Sequence, residues 1–133
     1  MPGVRLLAWM DMSKIEENTR SLSRIVGEQL SAVSFVMDYL QLQFNNYFLT
    51  VLTPLTVLAG EQSFRLGDLP YRDALCERIT HIVKSVVLAT DYLRIDFDDD
   101  SAFIISLKEE DYVCPEAINF QWRESGQMQM LVI

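Results

Sequence analysis

The stretch that decides the fold is YLQLQF, residues Tyr39–Phe44. Leu40, Leu42 and Phe44 alternate with polar side chains, and this period of two is typical of a strand that buries one face. The stretch YLRIDF, residues Tyr92–Phe97, has the same alternation 53 positions further along the chain. Short apolar segments of the same kind lie before and after both stretches, so the sequence predicts two sets of antiparallel strands.

The two halves of the chain resemble each other outside these strands as well. With the same shift, identical residues align at Leu22/Leu75, Val33/Val86, Asp38/Asp91, Tyr39/Tyr92, Leu40/Leu93 and Phe44/Phe97. This self-similarity predicts an internal duplication. We expect an α+β fold in which each unit has one helix and three antiparallel strands. The two units should pack together, because neither alone has enough strands to bury both its helix and its sheet.

The expected organisation is a single α+β domain at residues 13–133. Its repeat units should cover about residues 13–58 and 70–108, followed by a C-terminal segment at residues 109–133. Residues 1–12 are expected to be a poorly ordered extension, because the helix signal starts only at Ser13.

Two helices are expected. Ser13 and Glu16 form a capping-box pattern, so the first helix should begin at Ser13, and Gly27 is a natural stop for it. The second helix should begin near Tyr71, because Pro70 suits the first turn of a helix.

The remaining segments are expected to be irregular or short. Pro54 cannot donate to a ladder, so residues 55–58 should form an edge strand or an irregular segment. Residues 59–70, which contain two glycines and a proline, should be the main loop. The end of the chain should contain a short helix at Pro115–Phe120 and a last strand at Met128–Ile133.

The charge balance limits the kinds of partner. The chain carries 11 basic and 19 acidic residues, a formal net charge of −8. This balance argues against a nucleic-acid backbone or an anionic membrane as the main partner, because proteins bind both through clustered Lys and Arg. Two interpretations stay open: the charge keeps a small protein dissolved, or an acidic face steers a basic protein partner.

Cysteine usage and hydropathy favour the cytoplasm. Cys76 and Cys114 form no C-x-x-C pair and are expected to be free thiols. The N-terminal apolar run is interrupted by Asp11 before it reaches signal-peptide length. The longest apolar-rich stretch, Phe48–Ala59, contains Pro54 and is too short to cross a bilayer.

Acidic side chains form the candidate site. Asp96-x-Asp98-x-Asp100 begins like an EF-hand loop, but Ser101 stands where glycine is needed and Leu107 where the bidentate Glu should be. A hairpin turn is therefore favoured over a calcium site. A helix start would equally explain the acidic run that follows the next strand. The candidate acidic interaction patch comprises Asp98, Asp99, Asp100, Glu109, Glu110, Asp111 and Glu116.

No catalytic, cofactor-binding or metal-binding residue is expected. His81 is the only histidine, and without Cys, Asp or Ser at a recognised spacing it supports neither a metal cluster nor acid–base catalysis. P-loop, G-x-S-x-G, H-E-x-x-H and G-x-G-x-x-G motifs do not occur in the sequence. The chain is therefore expected not to be an enzyme and to use no cofactor. The alternative is a small-ligand-binding protein or enzyme with a pocket between the two units.

Two segments of the second half resemble a group of known proteins. They are Asp91–Asp98 (DYLRIDFD) and Asp111–Ala117 (DYVCPEA). These segments are similar to uncharacterised small bacterial proteins in which a Leu-x-Ile/Leu-x-Phe-Asp/Glu hairpin precedes a Gly-Pro-Glu-Ala segment. Some relatives of that appearance are grouped near immunity proteins of bacterial toxin systems. The likeness covers roughly Arg78 to Ala117, with Cys114 where the pattern has glycine, and it implies no catalytic residues.

The leading hypothesis is a non-catalytic protein-binding module of unknown biological role. It would neutralise a basic partner, such as a nuclease toxin, through complementary charge. A homo-oligomer is a further expectation, in which an exposed strand near Leu55 or Met128 pairs with its twin.

Overall fold

The computed structural model describes residues 12–133, and its mixed architecture confirms the expected α+β class. Within this range it contains two α-helices and ten strands. The helices are α1 (Met12–Leu22), which a 3-10 turn follows at Ser23–Ile25, and α2 (Tyr71–Cys76). The strands are β1 (Ala32–Val36), β2 (Tyr39–Phe44), β3 (Tyr47–Val51), β4 (Leu55–Ala59), β5 (Gln62–Phe64), β6 (Val83–Leu88), β7 (Tyr92–Phe97), β8 (Ala102–Ser106), β9 (Ile118–Glu124) and β10 (Gln127–Val132).

The strands form two five-stranded antiparallel sheets. The first sheet has the order β1-β2-β3-β9-β10, and the second has the order β5-β4-β8-β7-β6. In each sheet, three strands that follow one another along the chain form a meander. A hairpin from elsewhere in the chain extends each meander, because β9 pairs with β3 and β4 pairs with β8.

The two alternating stretches are the middle strands of the meanders. Tyr39–Phe44 is β2, and Tyr92–Phe97 is β7. Their apolar positions face inward, so Phe44 and Phe97 are fully buried, whereas Tyr39 and Tyr92 are each 36% exposed. A shift of one residue in either strand would move its buried side chains to the solvent face, which fixes the register of both sheets.

One hydrophobic core receives side chains from both sheets and both helices. Phe97 and Phe103 meet there edge to face, with ring centroids 4.9 Å apart. Leu22 from α1 and Leu75 from α2 are almost completely buried in the same core. Each large side chain contributes roughly 1.5–3 kcal/mol of burial free energy, so this shared core is the main stabilising feature of the fold.

The segments that precede β1 and β6 connect the two sheets. They run antiparallel, and Gln29 and Ile82 form an isolated bridge between them. Four backbone hydrogen bonds join them: Gly27 N to Val83 O (2.9 Å), Thr80 N to Leu30 O (2.8 Å), Leu30 N to His81 O (3.0 Å) and Val83 N to Glu28 O (2.9 Å). The corner between α2 and β6 is therefore held against the start of the first meander.

The first helix differs from the expectation at both ends. Met12 is already helical, so Ser13 lies inside α1 and is not its N-cap. The helix ends at Leu22, and Gly27 lies beyond it in a left-handed conformation with φ of 89°. The prediction of a poorly ordered extension at residues 1–12 lies outside the described residues, except for helical Met12.

Three regions are strands although the sequence predicts other structures for them. Leu55–Ala59 forms β4 between β5 and β8, so it is not an edge strand, and Pro54 lies just before the ladder and removes no hydrogen bond from it. Gln62–Phe64 forms β5 inside the expected loop. Ile118 starts β9 where a short helix was expected, because pairing with Val51 of β3 determines its conformation.

Candidate functional site

Asp98, Asp99 and Asp100 lie at the turn between β7 and β8, as the predicted hairpin requires. Each carboxylate contacts a basic side chain, either from the neighbouring corner between α2 and β6 or from the start of β6. The contacts are His81 Nδ1 to Asp98 Oδ1 at 2.8 Å, Arg78 Nη1 to Asp99 Oδ2 at 3.7 Å, and Lys84 Nζ to Asp100 Oδ1 at 2.9 Å. The turn therefore has its counter-charges within the fold.

Arg78 is a buried charged residue. It is 6% exposed, and its Nε has no hydrogen-bond partner among the residues that the structure describes. Its Nη2 also lies 3.2 Å from Oε2 of Glu77, whose side chain is mostly exposed. Burial of a guanidinium without a nearby anion is costly, so Asp99 and Glu77 are the groups that stabilise Arg78 in this position.

Hydrogen bonding sets the protonation of Asp99. Burial is the largest single influence and would raise the pKa of this carboxyl, but the hydrogen bonds from the hydroxyl and the backbone N–H of Ser101, together with nearby Arg78 and His81, outweigh it. The net result is a pKa below the ordinary value of 3.8. Asp99 is therefore an anion at neutral pH.

Among residues 12–133, His81, Asp98 and Asp99 form the group of side chains that could hold a metal ion. One donor atom of each lies within 4.8 Å of the others. However, Nδ1 of His81 is already engaged with Asp98, and the guanidinium of Arg78 would repel a cation placed beside Asp99. The geometry therefore favours a structural role, in which the cluster holds the α2–β6 corner against the β7–β8 turn.

The other four predicted site residues lie away from this turn. Glu109, Glu110 and Asp111 form a 3-10 turn after β8, and Glu116 lies shortly before β9. The five residues of β8, at about 3.3 Å each, place roughly 17 Å between this segment and Asp98–Asp100. The structure thus separates the seven predicted residues into Asp98–Asp100, which precede β8, and Glu109, Glu110, Asp111 and Glu116, which follow it.

Asp91 lies beside the second group and was missing from the predicted patch. It is exposed in the turn between β6 and β7, and its carbonyl oxygen accepts a hydrogen bond from the N–H of Leu107 at 2.9 Å. Antiparallel pairing of Tyr92 with Ser106 brings this turn to the end of the sheet where β8 stops. The alternation of strands and turns in the sequence could have identified it, because the turn before one strand adjoins the segment after its antiparallel neighbour.

We call Asp91, Glu109, Glu110, Asp111 and Glu116 the acidic end. Within residues 12–133, none of these five carboxylates forms an ion pair. Asp111 instead accepts a hydrogen bond from the Ser106 hydroxyl. The acidic end therefore differs from the β7–β8 turn in having no cationic partner among the described residues.

A cavity of about 330 Å³ lies on the outer face of the first sheet. It is lined by Asn46, Phe48, Arg123 and Met128. These residues belong to the first sheet and its turns, so this cavity does not lie between the two meanders, where the alternative small-ligand function expected one.

The comparisons with known proteins identify no family for this chain. Protein-family models, curated proteins and solved structures were compared with the chain, and none of them matches it.

Cys76 and Cys114 are both free and exposed. No helix within residues 12–133 has the length and apolar character that crossing a bilayer requires.

Proposed function

We propose that this protein is a non-catalytic binding module whose acidic end binds a basic protein partner. The observation that carries the proposal is the difference between the two acidic groups. Asp98–Asp100 contact basic side chains of the same fold, whereas the carboxylates of the acidic end form no ion pair within residues 12–133. Surface carboxylates without a cation in their own fold can accept one from a partner.

The surroundings of the acidic end suit a protein partner. Val113 is 83% exposed, and it lies between Asp111 and Glu116 in the same segment. An exposed apolar side chain among charges resembles the arrangement of interfaces, where apolar contacts are surrounded by a polar rim. The net charge of −8 adds a long-range field that speeds the encounter with a basic protein.

The narrower form of the proposal is an immunity-like role in the bacterial cytoplasm, with a basic toxin such as a nuclease as the partner. The support is the resemblance of Asp91–Asp98 and Asp111–Ala117 to small bacterial proteins near that class, since these segments contribute three residues of the acidic end. The free, exposed thiols of Cys76 and Cys114 suit a reducing compartment.

We also propose that the chain arose by internal duplication. The hydrogen bonds between the segments before β1 and β6 support this proposal. With the shift of 53 residues, Gly27 corresponds to Thr80 and Leu30 corresponds to Val83. The bond from Gly27 N–H to the Val83 carbonyl therefore has its counterpart in the bond from Thr80 N–H to the Leu30 carbonyl. The other two bonds between these segments correspond to each other in the same way. Gly27 and Thr80 also share left-handed φ angles of 89° and 83°. Such exchange symmetry is expected when two copies of one unit pack around a common axis.

Capture experiments test the proposed binding function. The purified protein is immobilised, exposed to a bacterial lysate at about 0.15 M ionic strength, and eluted with increasing salt. We expect one or more basic proteins to bind and to be released by salt. The triple variant Glu109→Gln/Glu110→Gln/Glu116→Gln should lose most of this capture, because it removes three charges of the acidic end.

A matched control separates the acidic end from the overall charge. The variant Glu16→Gln/Asp38→Asn/Glu61→Gln also removes three carboxylates, but these are exposed at other places on the surface. It should retain capture. Equal loss in both triple variants, or no salt-sensitive capture by the unmodified protein, would contradict the proposal.

A further inference from the structure

In the part of the chain that the structure describes, the edge strand β10 lacks the protection that the other sheet edges have. β5 is only three residues long, β6 has an irregular register at Lys84 and packs against α1, and β1 contacts α2. β10 has six residues in regular register with β9, and its sequence QMQMLV contains no charge. Within residues 12–133 it pairs with β9 alone. Long, regular and uncharged edges of this kind pair readily with another strand.

The free backbone groups of β10 can be assigned from the hydrogen bonds at its end. Ile133 and Ile118 exchange both of their backbone hydrogen bonds, each at 3.1 Å. Because hydrogen-bonding direction alternates along an antiparallel strand, Ile133 faces β9 and the preceding residue faces away. The N–H and C=O groups of Val132, Met130 and Met128 therefore point toward the open edge.

The same three residues carry the most exposed apolar side chains of the strand. Met128, Met130 and Val132 are 48%, 57% and 42% exposed. They lie on the outer face of the first sheet, because Met130 pairs with Gln121, which in turn pairs with half-buried Phe48. The open edge thus offers unpaired backbone groups beside a short apolar row.

Among residues 12–133, the strand positions on the outer face next to this edge include no acidic residue, although the chain has a net charge of −8. The outward positions of its five strands are Ala32, Ser34, Val36, Tyr39, Gln41, Gln43, Phe48, Thr50, Asn119, Gln121, Arg123, Met128, Met130 and Val132. Two copies of an acidic protein repel each other, and the repulsion is smallest where acidic groups are absent. The charge distribution therefore favours this face as the place where two copies can meet.

From these observations we infer that β10 is the contact strand of a homodimer, in which two copies pair their β10 strands antiparallel into one ten-stranded sheet. A two-fold axis at Met130 places Met130 opposite its twin and Met128 opposite Val132 of the second copy. This register uses all three outward-facing residues and forms about six backbone hydrogen bonds. Each β10 edge is then paired with the other β10 edge, so the assembly closes at two copies.

A second copy of the chain fits the open edge of β10 best, because this pairing is self-complementary. Every apolar side chain of the row meets an apolar side chain of the same row, and no carboxylate lies opposite another. One strand pair buries less surface than the roughly 1,600 Å² of a standard stable interface, so we expect a reversible dimer whose population rises with protein concentration. This inference does not depend on the acidic end or on its partner.

Sedimentation velocity of the full chain over a wide concentration range tests the inference. The unmodified protein should pass from monomer to dimer as its concentration increases. Met130→Lys should shift this transition to at least tenfold higher concentration, because it places two ammonium groups at the axis. Met130→Pro should act in the same way, since it removes an N–H that points to the open edge and no hydrogen bond to β9.

Controls keep the result specific. Met37→Lys changes a methionine that is 94% exposed at the β1–β2 turn and should leave dimer formation unchanged. Thermal melts of each variant report whether it is folded. In a background in which Cys76 and Cys114 are replaced by serine, Met130→Cys should form an intermolecular disulfide with oxidised glutathione, whereas Met37→Cys should not. A protein that stays monomeric throughout, or a dimer insensitive to Met130→Lys, overturns the inference, as does a monomer whose β10 binds only an unrelated extended peptide.

Discussion

The Nη1 atom of Arg78 lies 3.7 Å from Oδ2 of Asp99, and this contact joins the residues after α2 to the turn between β7 and β8. Arg78 is buried, whereas the side chain of Asp99 is 28% exposed. Asp99 also accepts two hydrogen bonds from Ser101, which act against its burial and, together with Arg78 and His81, hold its pKa below the ordinary value. The carboxylate of Asp99 thus stabilises both the buried guanidinium and the geometry of the turn.

We predict that Asp99→Asn lowers the free energy of unfolding at neutral pH by about 1–3 kcal/mol. Asparagine keeps an acceptor for Ser101 but leaves Arg78 with less negative charge nearby. Because the folded pKa is lowered, the stabilisation by Asp99 is present above the ordinary pKa of 3.8 and is lost as the pH falls through the folded value. Urea unfolding measured from pH 7 to pH 2 should therefore show that the free energies of unfolding of the two proteins converge only at the lowest pH values.

The control for this prediction is Asp38→Asn. Asp38 is exposed at the β1–β2 turn and forms no ion pair within residues 12–133. This variant should unfold like the unmodified protein at every pH. If Asp99→Asn and Asp38→Asn had the same pH dependence, the ion pair with Arg78 would contribute nothing measurable.

Tyr71 provides a prediction at alkaline pH. Its hydroxyl donates a hydrogen bond to the carbonyl oxygen of Leu55 at 2.7 Å, and burial raises the pKa of Tyr71 to about 12. Tyr71→Phe should cost about 1–2 kcal/mol at neutral pH, because the Leu55 carbonyl loses its side-chain donor. The raised pKa means that the stabilisation by Tyr71 is present below pH 10 and is lost as the pH rises toward 12. Unfolding curves of the variant should lack this alkaline loss, whereas exposed Tyr92→Phe should keep it.

The strands of the meanders were predictable because local pattern and tertiary position agree there. Leu42 and Phe44 alternate with glutamine in the sequence and are fully buried in β2. Where the pattern is short or polar, the sequence gives no such signal. Gln62–Phe64 becomes a strand only because β4 lies beside it, and Ile118 becomes the start of β9 only because β3 does.

The candidate site was predictable by residue type but not by grouping. Asp98 and Asp99 were expected at a hairpin turn, and the hairpin is confirmed. Arg78 can balance the negative charge of this turn only because of the register of β6 against β7. This register pairs Val83 with Phe97 and brings the α2–β6 corner next to the turn. Such long-range register is not encoded in the local spacing of charges. The separation of the two acidic groups follows from the length of β8.

A core substitution tests the shared hydrophobic core. Phe103 is fully buried and packs edge to face on Phe97. Phe103→Ala should lower the free energy of unfolding by about 3–5 kcal/mol, because it removes this contact and leaves a cavity. Phe35 is 45% exposed, and the guanidinium of Arg72 lies 6.0 Å from the centre of its ring, so Phe35→Ala should cost at most about 1 kcal/mol. Similar losses in the two variants, measured by denaturant unfolding, would contradict the burial pattern.

Gly27 and Thr80 give a matched pair of backbone predictions. Both residues have a left-handed φ, 89° for Gly27 and 83° for Thr80, and both donate a backbone hydrogen bond across the junction of the two sheets. A β-branched residue is strained in this conformation, whereas glycine is not. Thr80→Gly should therefore raise the free energy of unfolding by about 1 kcal/mol, with part of the relieved strain offset by the greater entropy of glycine in the unfolded chain. Gly27→Thr should lower it by about 1–3 kcal/mol, although open space surrounds the position, because the cost arises from the backbone and not from a clash. Opposite signs in thermal melts would support a strained Thr80. A loss of stability in Thr80→Gly would contradict the prediction, because the strain would then be smaller than the entropic cost of glycine.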